Sequence, residues 1–362
     1  MASTIFDSFY MPIYRPDHRS PTHQTHVSGQ GTQAAQPPRF FLDIDVTKWE
    51  RIAHPVLQQH RPYLSSIYLP ARENGALHAT EGDVVAQLGL ELCHPVQKAL
   101  ECARPGTTYG SEFISPPFTL ASRAHVARAD KVYLGQFQAG RKPFAVLEFK
   151  NVSVVDGHEF GEGIISDEAN FNAYMENINE NRFVLTSGTW TLLKQATNYS
   201  MAFDTPFVAI ADMRTLILLV FPLRQGMRAG RYALVTVIED PKLMRRALLG
   251  FLLMAHRHQQ RPDQLYPMMK QVLSEEVRKW IDDQRSRAAG LRGSPAAARV
   301  SGSSTQASEP PRILLEIDVI SEAPLGASGT SKSVPDSQTW KSSIDTLFST
   351  NWTRRQDTFS AN

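Results

Sequence analysis

Apolar positions along this chain follow two spacings, and the order in which the spacings change is informative. "TEGDVVAQLGLELCHPVQKAL" (80–100) has helical periodicity: Val85, Leu88 and Leu92 form one stripe, and Pro95 limits or kinks the helix. Three stretches of strand character follow, "FTLASRAHV", "ARADKVYL" and "KPFAVLEFK". Over 166–181, Phe171, Tyr174, Met175 and Ile178 stand at i, i+3, i+4 and i+7, which predicts a helix despite many asparagines. "TWTLLKQATNYSMAF" (189–203) predicts another, with Leu192, Ala196, Tyr199 and Phe203 on one face. "PFVAIAD" and "RTLILLVF" are near-continuous apolar runs, the pattern of strands buried on both sides. "KLMRRALLGFLLMAH" and "LYPMMKQVLSEEVRKWI" close the series as amphipathic helices. This order predicts an α/β fold, a mixed central β-sheet flanked by helices.

The two ends lack such periodicity. Residues 1–37, rich in Pro, His, Gln, Ser and Thr, predict a flexible N-terminal arm. Residues 285–362, which include "RSRAAGLRGSPAAARVSGSSTQASEPP", predict a largely disordered C-terminal tail, because such a composition buries too little apolar area to offset chain entropy. The folded domain is expected over 38–284. One short pattern links the regions: "PPRFFLDIDV" (37–46) returns as "PPRILLEIDV" (310–319), each with the alternation of a half-buried edge strand. At least one copy is expected to be extended and packed on the domain.

Composition narrows the class. The chain has 362 residues, 42% hydrophobic and 20% charged, with a net charge of +2 that argues for no polyanion-seeking field over the whole molecule. Cys93 and Cys102, nine residues apart on an expected helix, point to opposite sides and read as free thiols in a reducing compartment. No targeting pattern or membrane span appears, so the expectation is a soluble intracellular protein, nuclear or cytoplasmic, with no membrane partner.

The candidate chemistry lies in "FAVLEFKN" (144–151). Alternation puts Phe144, Val146, Glu148 and Lys150 on one strand face and Ala145, Leu147 and Phe149 on the other. Such a Glu/Lys pair is ordinarily a solvated ion pair. Asp130, however, shares a strand face with Val126, Val132 and Leu134, where a carboxylate needs a partner or a cation. If the two strands pair through "GQFQAGRKP", two carboxylates and an ammonium converge. Hard oxygens on neighbouring strands suit Mg²⁺ (or Mn²⁺), with oxygens on the order of 4 Å apart, and a nearby lysine can orient water or neutralise phosphate charge. Gln195 and Tyr199 lie one turn apart on the 189–203 helix, and Glu81 sits almost in line with the apolar stripe of the first helix.

At these residues the sequence resembles the PD-(D/E)XK nuclease superfamily. Asp130 followed by Glu148-Phe149-Lys150 matches its split acid…acid-x-lysine motif, with Ala129 where the family often has proline. Gln195-Ala196-Thr197-Asn198-Tyr199 is similar to the Q-x-x-x-Y signature of the RecB-type branch, and Glu81 stands where that branch often has a helical glutamate. The resemblance covers roughly residues 80–222, and the whole chain is similar to a set of fungal proteins on the same fold. It implies a restriction-endonuclease-like core (αβββαβ) with extra C-terminal helices, and Mg²⁺-dependent phosphodiester hydrolysis in nucleic acid, DNA ahead of RNA. Asp130, Glu148 and Glu81 would hold the metal, Lys150 would position the water, and Gln195 and Tyr199 would orient the site. The alternative is an inactive nuclease-fold module acting in protein–protein interaction.

That alternative draws on "VVDGHEFGEGIISDEANFNAYMENINEN". Asp156, Glu159, Glu162, Asp167, Glu168, Glu176 and Glu180 stand there with no Lys or Arg among them. An acidic insert (156–180) beside the site would repel nucleic acid unless it folds away, and it or the tails could bind a protein partner. His256 and His258 in "AHRHQQR" read as a solvated helix terminus rather than a metal site. No phosphate-binding glycine loop, zinc cluster or nucleophile elbow appears.

Overall fold

The computed structural model describes residues 3–15, 30–70, 80–120, 123–165, 185, 187–221, 224–225, 228–229, 232–262, 275 and 278–279. Helices α1 (Ile5–Ser8) and α2 (Gln30–Ala34) precede strand β1 (Phe40–Asp43), then α3 (Val46–Gln59) and α4 (Arg61–Leu64). Helix α5 (Glu81–Leu88) runs through a π-helical turn, Gly89–Cys93, into α6 (His94–Ala103). Next come β2 (Thr108–Ile114), the small pair β3 (Phe118–Leu120) and β4 (Arg123–His125), and the long hairpin β5 (Arg128–Phe137) and β6 (Gly140–Phe149). Helix α7 (Gly157–Glu162), β7 (Ile164–Ile165) and α8 (Ser187–Ala202) lead to β8 (Phe207–Ala211) and β9 (Leu216–Val220). The chain continues through β10 (Arg224–Gln225), β11 (Arg228–Ala229) and β12 (Tyr232–Ile238) to α9 (Met244–Gln260).

Eight strands form one mixed sheet in the order β2-β5-β6-β8-β9-β12-β1-β7. The pairs β6–β8, β12–β1 and β1–β7 are parallel, and the others are antiparallel. The molecule is thus a mixed α/β fold with helices on a large sheet. β5 and β6 turn at Gly140, whose φ of 96° favours glycine. A parallel β6–β8 pair cannot be joined by a hairpin, and the connection between them contains α8. Helix α8 buries the expected face of Leu192, Ala196, Tyr199 and Phe203, and every residue of β8 and β9 is buried. Among the described residues no helix is long and apolar enough to cross a membrane.

Several expectations are corrected by packing. Residues 3–15, expected in a flexible arm, join the core: Ile5, Phe6, Phe9 and Ile13 are all buried. The reason is Arg245 on α9, whose guanidinium donates to the Ser8 and Met11 carbonyls and pairs with Glu91 at 2.7 Å. On the 80–103 helices the buried stripe is Val84, Leu88, Leu92 and Val96, while Val85 is half-buried. Spacing of four residues drifts round an α-helix, and the wider π turn brings the stripe back into line. Phe144 lies with Ala145 in one core cluster, not with Val146, because the β5–β6 register slips by one residue there. Val126 is exposed, outside the buried face of β5.

Helix α9 is buried almost all round rather than amphipathic, and it lies against α3 so closely that a Cβ on Gly250 would clash with the Trp49 carbonyl oxygen. His256 and His258, expected in solvent, are buried among aromatic rings: His256 against Phe137 and Phe144, His258 against Phe207. The first copy of the echo is strand β1, extended and packed, but it is flanked on both sides rather than at an edge. Its second copy lies outside the described residues, as do the 166–181 helix, nearly all of 265–281 and the whole of 285–362. Cys93 and Cys102 are free thiols, one buried and one half-buried.

Candidate functional site

Strand alternation and antiparallel pairing bring the acids together. Lys131 pairs with Leu147 and Val132 with Val146, so Asp130 and Glu148 meet one step further along the hairpin. Their backbones reinforce this. Phe149 N–H donates to Asp130 Oδ2 at 2.7 Å, and Asp130 N–H donates to Glu148 Oε2 at 3.3 Å. Lys150 follows β6, where its own N–H donates to the Ala211 carbonyl of β8 at 2.9 Å. Its Nζ sits 2.7 Å from Glu148 Oε1 and 3.5 Å from Glu81 Oε1.

Glu81 reaches the cluster from the first turn of α5, which a capping box of Thr80 and Asp83 begins. From the sheet's other layer, α8 presents Gln195, whose Nε2 donates to Glu148 Oε1 at 2.9 Å and to the Tyr199 hydroxyl at 2.8 Å. All six residues singled out in the sequence therefore stand in one cluster. Glu81, Asp130 and Glu148 each offer an oxygen within 4.8 Å of the others, from an exposed, a half-buried and a buried residue respectively.

Burial sets the electrostatics. It pushes the Glu148 carboxyl up to about 7, with Asp130 adding to the effect while Lys150 opposes it. Burial raises Asp130 also, against the pull of the Phe149 N–H and Lys150. For Lys150 burial acts downward, yet Glu148, Glu81 and Asp130 outweigh it and leave the ammonium held above its ordinary value. Tyr199 is raised by burial and by the charge of Glu148, so its hydroxyl stays protonated. Lys150 is thus a cation, and Glu148 exchanges its proton near neutrality.

Two further acids, Asp212 and Glu112, were not singled out in the sequence, and a third, Glu159, was given a different place. Asp212 ends β8 and accepts from the N–H groups of Arg214 and Thr215 at 2.7 Å and of Val155 at 3.3 Å, clamping the loop after Lys150 to the β8–β9 turn. An aspartate two residues before Arg-Thr at a strand end is an Asx-turn signal that could have found it. Glu112 lies on β2 between the Ser111–Lys131 and Phe113–Ala129 pairs and has a φ of 46°, a left-handed backbone. Glu159, counted with the acidic insert, turns inward and accepts from the Thr189 hydroxyl at the start of α8. Asp167, Glu168, Glu176 and Glu180 lie outside the described residues.

Compared with family models, curated proteins and solved structures, the chain matches none.

Proposed function

We propose that this chain is a divalent-cation-dependent hydrolase of phosphodiester bonds in nucleic acid, DNA ahead of RNA, on a restriction-endonuclease-like core. The observation that carries the reading is the convergence of Glu81, Asp130 and Glu148 within 4.8 Å, with the Lys150 ammonium against two of them. The element order supports it: helices α5 and α6, three antiparallel strands β2, β5 and β6, then α8 and a fourth strand β8 parallel to β6.

The donor set fits Mg²⁺ or Mn²⁺. It is all oxygen, and ligands about 2.1 Å from one ion lie about 3–4 Å apart, a small closure from the spacing seen and within reach of the exposed Glu81 side chain. Asp130, Glu148 and Glu81 would hold the ion, which when bound polarises phosphate oxygen and acidifies water. The protein's own groups divide the remaining work. Gln195 and Lys150 both bind Glu148 Oε1 and fix the carboxylate plane. Lys150 keeps its proton at Nζ, where it orients water and offsets charge building on the phosphate. Tyr199 holds the Gln195 amide in place.

The second reading, an inactive module binding a protein partner, draws on the acids after Lys150; Glu159 subtracts from that acidic surface because it is buried. Cleavage of labelled DNA and RNA with Mg²⁺ or Mn²⁺, alongside calorimetric ion titration, decides between them. The hydrolase reading expects ion-dependent cleavage that Asp130→Asn and Glu148→Gln abolish. Lys150→Met should keep ion binding and lose rate. No cleavage with either ion, together with no bound ion, would leave the interaction module.

A further inference from the structure

Two exposed guanidinium groups stand on the strands that lead to Asp130, and among the described residues no carboxylate pairs with either. Arg128 opens β5 two residues before Asp130, so alternation places the two side chains on one face of the strand. Arg123 opens β4, the strand that leads into β5. Both are exposed, and among the described residues neither forms an ion pair.

The β3–β4 arm is anchored on the same side of the sheet as the cluster. Phe113 and Phe118 pack against the core that contains Tyr199 and Val146, with the Phe113 ring 6.2 Å from that of Phe203. At the base of the arm Ser115 N–H donates to the Ala127 carbonyl at 2.8 Å, and Ala127 N–H returns a bond to Ser115 Oγ at 2.9 Å. The arm therefore has a fixed root. Flanking that root, Ile114 and Val126 are 63% and 60% exposed, unlike the buried aliphatic residues around them.

Charge gives the arm its partner. Three acids against one lysine repel a polyanion, and nucleic-acid affinity depends chiefly on cations that meet phosphates. Arg128 on the face of Asp130, and Arg123 on the strand that leads into it, supply the cations the cluster lacks. The exposed aliphatic side chains at the arm's root suit sugar and base edges. We propose that Arg123 and Arg128 grip the sugar–phosphate backbone of the nucleic acid next to the bond presented to the cluster. Ile114 and Val126 pack against its sugars. This rests on the hydrolase reading and adds the substrate contact that reading requires.

The test is binding of the full chain, in EDTA so that nothing is cut, to a fluorescein-labelled single strand and to the matching duplex. Anisotropy is followed across a salt series. Arg123→Gln/Arg128→Gln should weaken binding about tenfold at low salt and flatten the log K against log salt slope by about 2, one phosphate contact being lost per arginine. Arg123→Lys/Arg128→Lys, which keeps the charges, should retain the slope, and Arg51→Gln/Arg257→Gln on remote helices should change neither quantity. An unchanged slope and affinity in the first variant overturns the arm and leaves the hydrolase reading standing. Arm-dependent binding by a protein that cleaves nothing with either ion sustains the arm and overturns the hydrolase. A wild-type chain that binds no nucleic acid overturns both.

Discussion

The N–H of Phe149 donates to the Asp130 carboxylate at 2.7 Å, so the first acid of the cluster is hydrogen-bonded to the strand that carries Glu148 and Lys150. Glu148 returns the contact by accepting from Asp130 N–H at 3.3 Å. These crossed bonds extend the β5–β6 ladder with side chains and hold two like charges together against their repulsion. An arrangement kept close in this way has a definite pH signature.

Glu148 should make the fold less stable as pH rises through neutrality. Its carboxyl loses its proton at about 7 in the folded chain and near 4.5 when unfolded, so between these values the folded state binds more protons. The stabilisation is complete below about pH 4.5 and is lost as pH rises through 7, by up to about 3 kcal/mol. Glu148→Gln removes the titration. Urea unfolding in EDTA should show the wild type losing stability relative to this variant between pH 5 and 8. Parallel curves would mean that Glu148 is not buried beside Asp130.

His256 should act in the opposite direction. Burial, and then the charge of Arg104, lowers its imidazole to about 4, well below the ordinary 6.5. The unfolded chain takes up that proton first, so stability is full above pH 6.5 and is lost as pH falls towards 4, by roughly 2–3 kcal/mol. His256→Leu should abolish this acid sensitivity in the difference curve. Equal acid sensitivity in the two proteins would contradict a neutral, buried ring between Phe137 and Phe144.

Two glycines on helices offer a contrast in packing. Gly250→Ala drives a methyl into the Trp49 carbonyl, where neither backbone can yield cheaply, and should cost about 3 kcal/mol or more. At Gly82, by contrast, the nearest atom is Thr80 Oγ1 at 3.6 Å, so Gly82→Ala should be neutral or stabilise by about 0.5–1 kcal/mol. Denaturation midpoints measure both. Similar effects from the two substitutions would rule out the close crossing of α9 on α3.

Arg245 should control the N-terminal segment. Its removal leaves Glu91 buried without its guanidinium partner and frees the Ser8 and Met11 carbonyls, so Arg245→Met should cost about 3–5 kcal/mol. Chymotrypsin should then cut after Phe9, which is buried in the wild type, under conditions where the wild type resists. Adding Glu91→Met should recover much of the stability, because it removes the uncompensated charge. If chymotrypsin treats wild type and Arg245→Met alike, the segment is held by its apolar residues alone.

Where one spacing persisted along a segment, the sequence alone determined the outcome. Helix α8 buries Leu192, Ala196, Tyr199 and Phe203 as their repeat requires, and β8 and β9 are buried on both faces as their unbroken apolar runs imply. Asp130, Glu148 and Lys150 were legible for a related reason: polar groups on otherwise apolar strand faces need one another, and alternation says which face each occupies. Gln195 was marked by its place one helical turn from Tyr199 and by the Q-x-x-x-Y resemblance.

Tertiary structure alone decided what depends on distant partners or on a break in the repeat. Ile5, Phe6, Phe9 and Ile13 have little periodicity of their own, and they are buried against a core and beside a guanidinium that come from residues far along the chain. Phe144 changed sides because a one-residue slip against β5 reverses the alternation, and the slip is a property of the strand pair. His256 looked like a solvated helix end until Phe137 and Phe144 closed over it. Periodicity reports how one segment divides its own surface between water and core. What covers that surface is set by contacts whose loop-closure entropy is met only when the whole chain folds.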